Sequence, residues 1–206
     1  MDVSRPYGII SHPLDGSVLY VLAGTSEALT GRRIGELAAK TQEGTRKALR
    51  RLVEAGIVER QEAGNAILYR LNRRHLAAPA IEQLVDLRRE LLRRLTATFE
   101  AWHAPPLHAS MFGSTARGDG DAHSDIDLFI VRPASVEADD RNWQKEIEQL
   151  PVDIHDWTGN HANVVEVPEG ALEDLRRRRP AVVDSVEADA ITLAGPSVAA
   201  LLERSR

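Results

Sequence analysis

The apolar positions of the first 75 residues form short helical stripes followed by two β-prone runs. Val18, Leu19 and Leu22 recur at 3.6-residue spacing and predict a first helix over Leu14 to Ala23. Thr30 is placed to cap a second helix, with Ile34, Leu37 and Ala38 as its inward stripe. Thr41 is placed to cap a third. There Ala48, Leu49, Leu52, Val53 and Ala55 line one side, while Arg46, Lys47, Arg50 and Arg51 lie on or beside the other, and Gly56 marks the stop. Ile57 to Gln61 and Ala66 to Leu71 then read as strands around Glu62-Ala63-Gly64-Asn65, a hairpin signal.

Further on, Ile81, Leu84, Leu91, Leu95, Phe99 and Trp102 form one broad stripe, which predicts a single long helix over residues 76–102 with Pro79 in its first turn. Ala104-Pro105-Pro106 ends it. Such a connector joins two domains, and it could also pair with a second copy to give a homodimer. The expected division is 1–75, 76–104 and 105–206. Beyond the prolines, Leu107 to Phe112 is β-prone. Trp143, Ile147, Leu150 and Ile154 form a helical stripe interrupted or restarted at Pro151, with Asp153 on a helix. Asn163 to Val167 is the next strand. A helix beginning near Glu169 ends in Arg176 to Arg179, whose charges suit a helix C-terminus, a polyphosphate or RNA. Pro180 restarts a helix to about Ala188, Ile191 to Leu193 is β-like, and Ser197 to Arg206 is a short helix or tail.

Three short helices and a hairpin over residues 13–74 resemble a winged helix-turn-helix. The resemblance implies double-stranded DNA as a partner, with the third helix in the major groove and the hairpin on the flanking backbone. Gln42, Arg46 and Lys47 are then candidate base or phosphate contacts, and Arg50, Arg51, Arg60 and Arg70 candidate phosphate contacts. The plainer reading is that these charges solvate the exposed face of a small helical domain.

Charge sharpens the division. The 206 residues are 43% hydrophobic and 28% charged, which predicts a soluble globular protein and excludes disorder as the dominant state. The net −5 conceals +4 over residues 1–76, 0 over 77–105 and −9 over 106–206. A basic first part suits a polyanion and an acidic last part suits metal cations. There is no cysteine, so disulfides and thiolate zinc sites are excluded. No apolar run reaches the length of a membrane span, and Met1 to Gly24 lacks the pattern of a signal peptide, so a cytoplasmic location without a membrane partner is expected.

The chemistry-bearing residues follow the prolines. Phe112 runs into Gly113-Ser114-Thr115-Ala116-Arg117-Gly118, and after a gap come Ser124-Asp125-Ile126-Asp127-Leu128. In extended backbone Asp125 and Asp127 share a face, and two adjacent carboxylates call for a positive partner such as Mg²⁺ carrying phosphate oxygens. Gly113 allows close approach of a phosphate, and Ser114 can donate from its hydroxyl and N–H. A calcium loop built on Asp119, Asp121, Asp125 and Asp127 is a weaker reading, because the EF-hand spacing and its final Glu are missing. His155, Asp156 and His161 match no helical ligand spacing and read as polar loop residues, and His123 as an exposed loop residue or a phosphate contact.

This pattern closely resembles the signature of the DNA polymerase beta-like nucleotidyltransferase superfamily, in its minimal MNT-type branch. The resemblance covers Phe112 to Ile130. Taken with the winged-helix resemblance and the long apolar stripe, the expected architecture is α+β: an N-terminal winged helix, a long connecting helix and a C-terminal α/β nucleotidyltransferase fold with a small mixed sheet, the last of which this resemblance implies. The resemblance also implies two Mg²⁺ ions on Asp125 and Asp127, an NTP (ATP expected) held by Gly113 and Ser114, and transfer of AMP to a hydroxyl acceptor. Arg117 either neutralises phosphate charge or forms a salt bridge on the turn. Active members place a third carboxylate on a later strand. Here that position falls on Asn163, with the nearby, opposite-facing Glu166 as the alternative metal ligand, so a nucleotide sensor, a regulator or an antitoxin paired with a toxin protein is the alternative function.

Overall fold

The computed structural model describes residues 13–121 and 123–204, which separate into two compact units between Arg88 and Arg89.

The first unit begins with helix α1 (Pro13–Ala23), followed by strand β1 (Leu29–Thr30), α2 (Gly31–Leu37), α3 (Gln42–Glu54), β2 (Val58–Ala63), β3 (Ala66–Leu71) and α4 (Ala78–Val85). Thr30 and Thr41 cap α2 and α3, their hydroxyls accepting from the backbone N–H of Arg33 and Gly44. The strands form an antiparallel sheet in the order β1-β3-β2, and the Ala63↔Ala66 pairing leaves Gly64-Asn65 as a two-residue loop. Gly64 carries the positive φ (59°) that such a loop requires. Val18, Leu22, Ile34, Leu49, Leu52, Val58 and Leu71 make the core.

Leu37 departs from the expected inward stripe: it is 49% exposed, and Gly35 is buried beside Ile34. Helix α2 has only seven residues and ends at Leu37, so no further turn carries the stripe onward. Ala39 then turns the chain in the left-handed region (φ 51°).

The expected single helix over 76–102 is two helices, α4 and α5 (Leu87–Ala101). They break at Asp86, whose N–H is shared between the carbonyls of Glu82 and Gln83. An Asp competes for backbone groups and favours such interruptions.

The second unit takes up the chain at Arg89 within α5 and continues with β4 (His108–Phe112), α6 (Gly113–Arg117), β5 (Ile126–Arg132), α7 (Arg141–Thr158), β6 (Ala162–Pro168), α8 (Leu172–Arg178), α9 (Ala181–Asp189), β7 (Ile191–Ala194) and α10 (Val198–Arg204). The strands form a mixed sheet in the order β6-β5-β4-β7, with β5 and β6 parallel and the other pairs antiparallel. Alternation along β4 and β5 feeds two cores. Met111, Ile126, Leu128 and Ile130 pack with Leu91, Leu95 and Phe99 of α5 and Trp143, Leu150 and Ile154 of α7. Phe112, Phe129 and Val131 pack with α8, α9 and α10. Phe99, Trp102 and Trp143 form successive edge-to-face contacts with centroids 5.1 Å apart, each worth about 0.5–1.5 kcal/mol beyond burial.

Helix α7 runs through Pro151 without a break, contrary to the expected interruption. Asp140 caps it by accepting from Asn142 and Trp143, and the buried stripe Trp143, Leu150 and Ile154 holds both sides of the proline to one core. His155 and Asp156 therefore lie on α7 rather than on a loop. No helix among the described residues is long and apolar enough to cross a membrane.

Candidate active site and nucleic-acid face

Strand β4 ends at Phe112, and Gly113 (φ 74°) turns the chain into α6. The positive φ disfavours any other residue there, and so does space: a Cβ on Gly113 would meet Asp127 Oδ2 at 2.6 Å. Phe112 pairs with Asp127 across β4 and β5, so the register itself brings the second aspartate to the Gly113 bend. Ser114 anchors the following turn through its carbonyl, which accepts from Gly118 N at 3.0 Å and from Asp119 N and Gly120 N at 3.2 Å.

Two further contacts fix the start of β5. Thr115 Oγ1 donates to the Asp125 carbonyl at 3.0 Å, fastening α6 to the first aspartate. Asn160, buried between α7 and β6, donates from Nδ2 to the Ser124 carbonyl at 3.0 Å. Neither residue stands out in the sequence as part of a site. In the preceding loop Asp121 accepts from His123 N and Ser124 Oγ, and those hydrogen bonds hold its carboxyl below the usual carboxylate range.

Asp125 and Asp127 lie together. Asn163, opposite Asp127 in the parallel β5–β6 pair, donates from Nδ2 to Asp125 Oδ2 and to Asp127 Oδ1, both at 3.1 Å. The two aspartates, the Gly113-Ser114 bend and Asn163 thus form one constellation at one end of the sheet. Glu166 is not part of it. It faces the other side of the sheet, where it accepts from Arg132 Nε at 2.8 Å and from Trp143 Nε1 at 3.1 Å, so of the two candidates for the third position Asn163 is the one beside the aspartates. Arg117 takes the salt-bridge alternative, pairing with Asp119 at 3.1 Å and Asp189 at 2.7 Å, and both partners raise its pKa.

The two carboxylates offer hard oxygen donors suited to a divalent cation, Asn163 carries a further amide oxygen, and the missing Cβ of Gly113 is what lets the Asp127 carboxylate lie against the bend. No group of three or more ionisable metal-ligating side chains occurs among the described residues. His155 and His161 do approach each other, with ring centroids 5.8 Å apart.

In the first unit the exposed side of α3 carries Gln42, Arg46, Lys47, Arg50 and Arg51. Glu43 pairs with Arg46 at 3.0 Å and Lys47 at 3.3 Å, and Lys47 and then Arg46 hold its carboxyl below its ordinary value. Arg50 reaches Glu54 at 3.9 Å, and Gln42 donates to the Arg32 carbonyl at 3.4 Å. Arg51 differs from these, because its guanidinium is tied to Asp15 of α1 and so braces the helices. On the hairpin, Arg60 pairs with Glu62 at 3.0 Å and Arg70 with Glu59 at 2.6 Å. Arg32, Gln42, Arg46, Leu49, Ile67 and Tyr69 line a groove of about 520 Å³ between the start of α3 and the hairpin.

No curated protein matches the sequence. Residues 93–187, which contain the whole constellation from Gly113 to Asn163, match the family model described as a nucleotidyltransferase domain, and the match supports nucleotidyl transfer in general as the chemistry of this unit.

Proposed function

We propose that the second unit is an Mg²⁺-dependent nucleotidyltransferase of the MNT type that moves a nucleoside monophosphate, AMP from ATP, onto a hydroxyl acceptor, and that the first unit is a winged helix that binds double-stranded DNA. The observation that carries the enzymatic reading is the gathering of Asp125, Asp127 and Asn163 beside the Gly113-Ser114 bend.

Asp125 and Asp127 are the residues to hold Mg²⁺, two ions in the full site, with Asn163 as a neutral third ligand. When bound, the metal neutralises the triphosphate and stabilises the attacking and leaving oxygens. Gly113 keeps the bend clear of a side chain so that the triphosphate can approach the backbone, and Ser114 offers its hydroxyl and N–H to the β,γ-phosphates. The acceptor oxygen forms a bond to the α-phosphorus, the α–β bridging P–O bond breaks, and pyrophosphate leaves with the electron pair. The acceptor's proton passes to solvent, since an amide at Asn163 cannot take it.

That last point favours a second reading, in which the site binds a nucleotide with little turnover and the protein is a DNA-binding regulator or an antitoxin working with a toxin protein. One experiment separates the two. Incubation with Mg²⁺ and α-labelled ATP should transfer label to an acceptor or to the chain itself, and Asp125→Asn and Asp127→Asn should each abolish it. Transfer that survives both substitutions rejects the site, whereas tight ATP binding without transfer selects the sensor.

A further inference from the structure

We propose that Asn163 makes cation binding at the Asp125–Asp127 pair depend on nucleotide, bridging the two carboxylates while the site is empty and turning its carbonyl oxygen to the cation when a metal–nucleotide complex arrives. The inference rests on the reading of this pair as the nucleotide site.

The geometry supplies the first half. One exposed amide nitrogen donates to Asp125 Oδ2 and Asp127 Oδ1, both at 3.1 Å, so a single uncharged group spans two like charges that would otherwise repel. Both neighbours are acceptors, which fixes the NH₂ side toward them. The strand register, Asp127↔Asn163, keeps the residue there independently of any ligand.

The chemistry of an amide supplies the second half. A half-turn about the Cβ–Cγ bond exchanges the NH₂ group for a carbonyl oxygen, an acceptor suited to a hard divalent cation. The same side chain can therefore close the empty site and complete the filled one. Because the amide brings a dipole instead of a full charge, a free cation meets two negative charges from this constellation. The phosphate oxygens of a nucleoside triphosphate supply the remaining negative charge, and metal and nucleotide enter together.

The test uses the full chain and Mn²⁺, followed by the spectroscopic signal of the free ion, with and without α,β-methylene-ATP. The wild-type protein should bind Mn²⁺ at least about tenfold more tightly with the analogue than without it. Asn163→Asp should bind Mn²⁺ alone at least about tenfold more tightly than wild type, with a smaller gain from the analogue. It should also melt below wild type in chelator and recover with Mn²⁺. Asn163→Ala removes the bridge without adding charge, and should melt lower in chelator while gaining no Mn²⁺ affinity. Wild-type Mn²⁺ affinity in Asn163→Asp, or unchanged melting in Asn163→Ala, overturns the inference. If the analogue has no effect on wild type or either variant, the nucleotide reading itself fails and takes this one with it.

Discussion

Asn163 stands opposite Asp127 in a parallel strand pair, and its amide nitrogen donates to Asp127 Oδ1 at 3.1 Å. The same nitrogen reaches Asp125 Oδ2, just ahead of β5, so a residue placed by the sheet register bridges the two carboxylates. Sites built on strands hold their geometry more tightly than sites built on loops.

Gly113→Ala should damage both stability and the site. The left-handed backbone alone costs a Cβ-bearing residue about 1–2 kcal/mol, and the new methyl would press on Asp127 Oδ2. Urea denaturation should show a loss of about that size or more, and ATP binding should weaken. Gly170→Ala is the control, since nothing lies within 4 Å of a Cβ there and its φ is not positive. Equal behaviour of the two variants would refute the strain argument.

DNA binding by the first unit should depend on salt and on the exposed side of α3. Where Arg46 or Lys47 neutralises a phosphate, its replacement by alanine should reduce the slope of log K against log salt by about 0.9. Glu43→Gln should act in the opposite direction and tighten binding, because it releases both basic partners. Binding that is weak and insensitive to salt, with all three variants alike, would leave the charges as a solvated face.

Stability should fall in mild acid because of His108. This residue is fully buried, its Nδ1 2.7 Å from the Pro196 carbonyl and its Nε2 2.9 Å from Ser110 Oγ. Burial pushes its pKa down, outweighing the hydrogen bond to Pro196. The unfolded chain then binds the proton more readily, so His108's contribution is complete above its unfolded value, near 6.5, and is lost progressively as pH falls below it toward the lowered folded value. Denaturation curves at pH 8, 7, 6 and 5 should show this loss in wild type, and His108→Gln should remove that component of the slope.

Ala39→Gly should stabilise the protein. Ala39 holds φ 51° after α2, where its N–H bonds to Glu36 and that of Lys40 bonds to Gly35. Glycine relieves the left-handed strain, offset in part by the greater freedom of the unfolded chain, for a net gain of about 0.5–1 kcal/mol in chemical denaturation.

The fold is legible wherever local pattern and tertiary packing agree. Thr30 and Thr41 announce their helices because a cap acts within three residues, and Gly64-Asn65 announces its hairpin for the same reason. The placement of Asn163 follows from a short apolar run in which alternate residues share a face. Leu37 misleads because its apolar stripe extends past the last turn of a seven-residue helix. Pro151 misleads because the general cost of proline is outweighed in a helix whose two halves share one core. Asn160 gives no local sign, since its hydrogen bond to Ser124 spans 36 residues and exists only once the sheet has formed.

The mixed sheet has two outer strands, and each is a poor template for another. Strand β6 finishes in Pro168, and β7 has only four residues with a register shift against β4 between Ala109 and Ser110. A stranger's backbone meets either a missing donor or a short, irregular ladder. At the concentrations of a living cell, this sheet is therefore guarded against growing outward by accretion of unfolded neighbours.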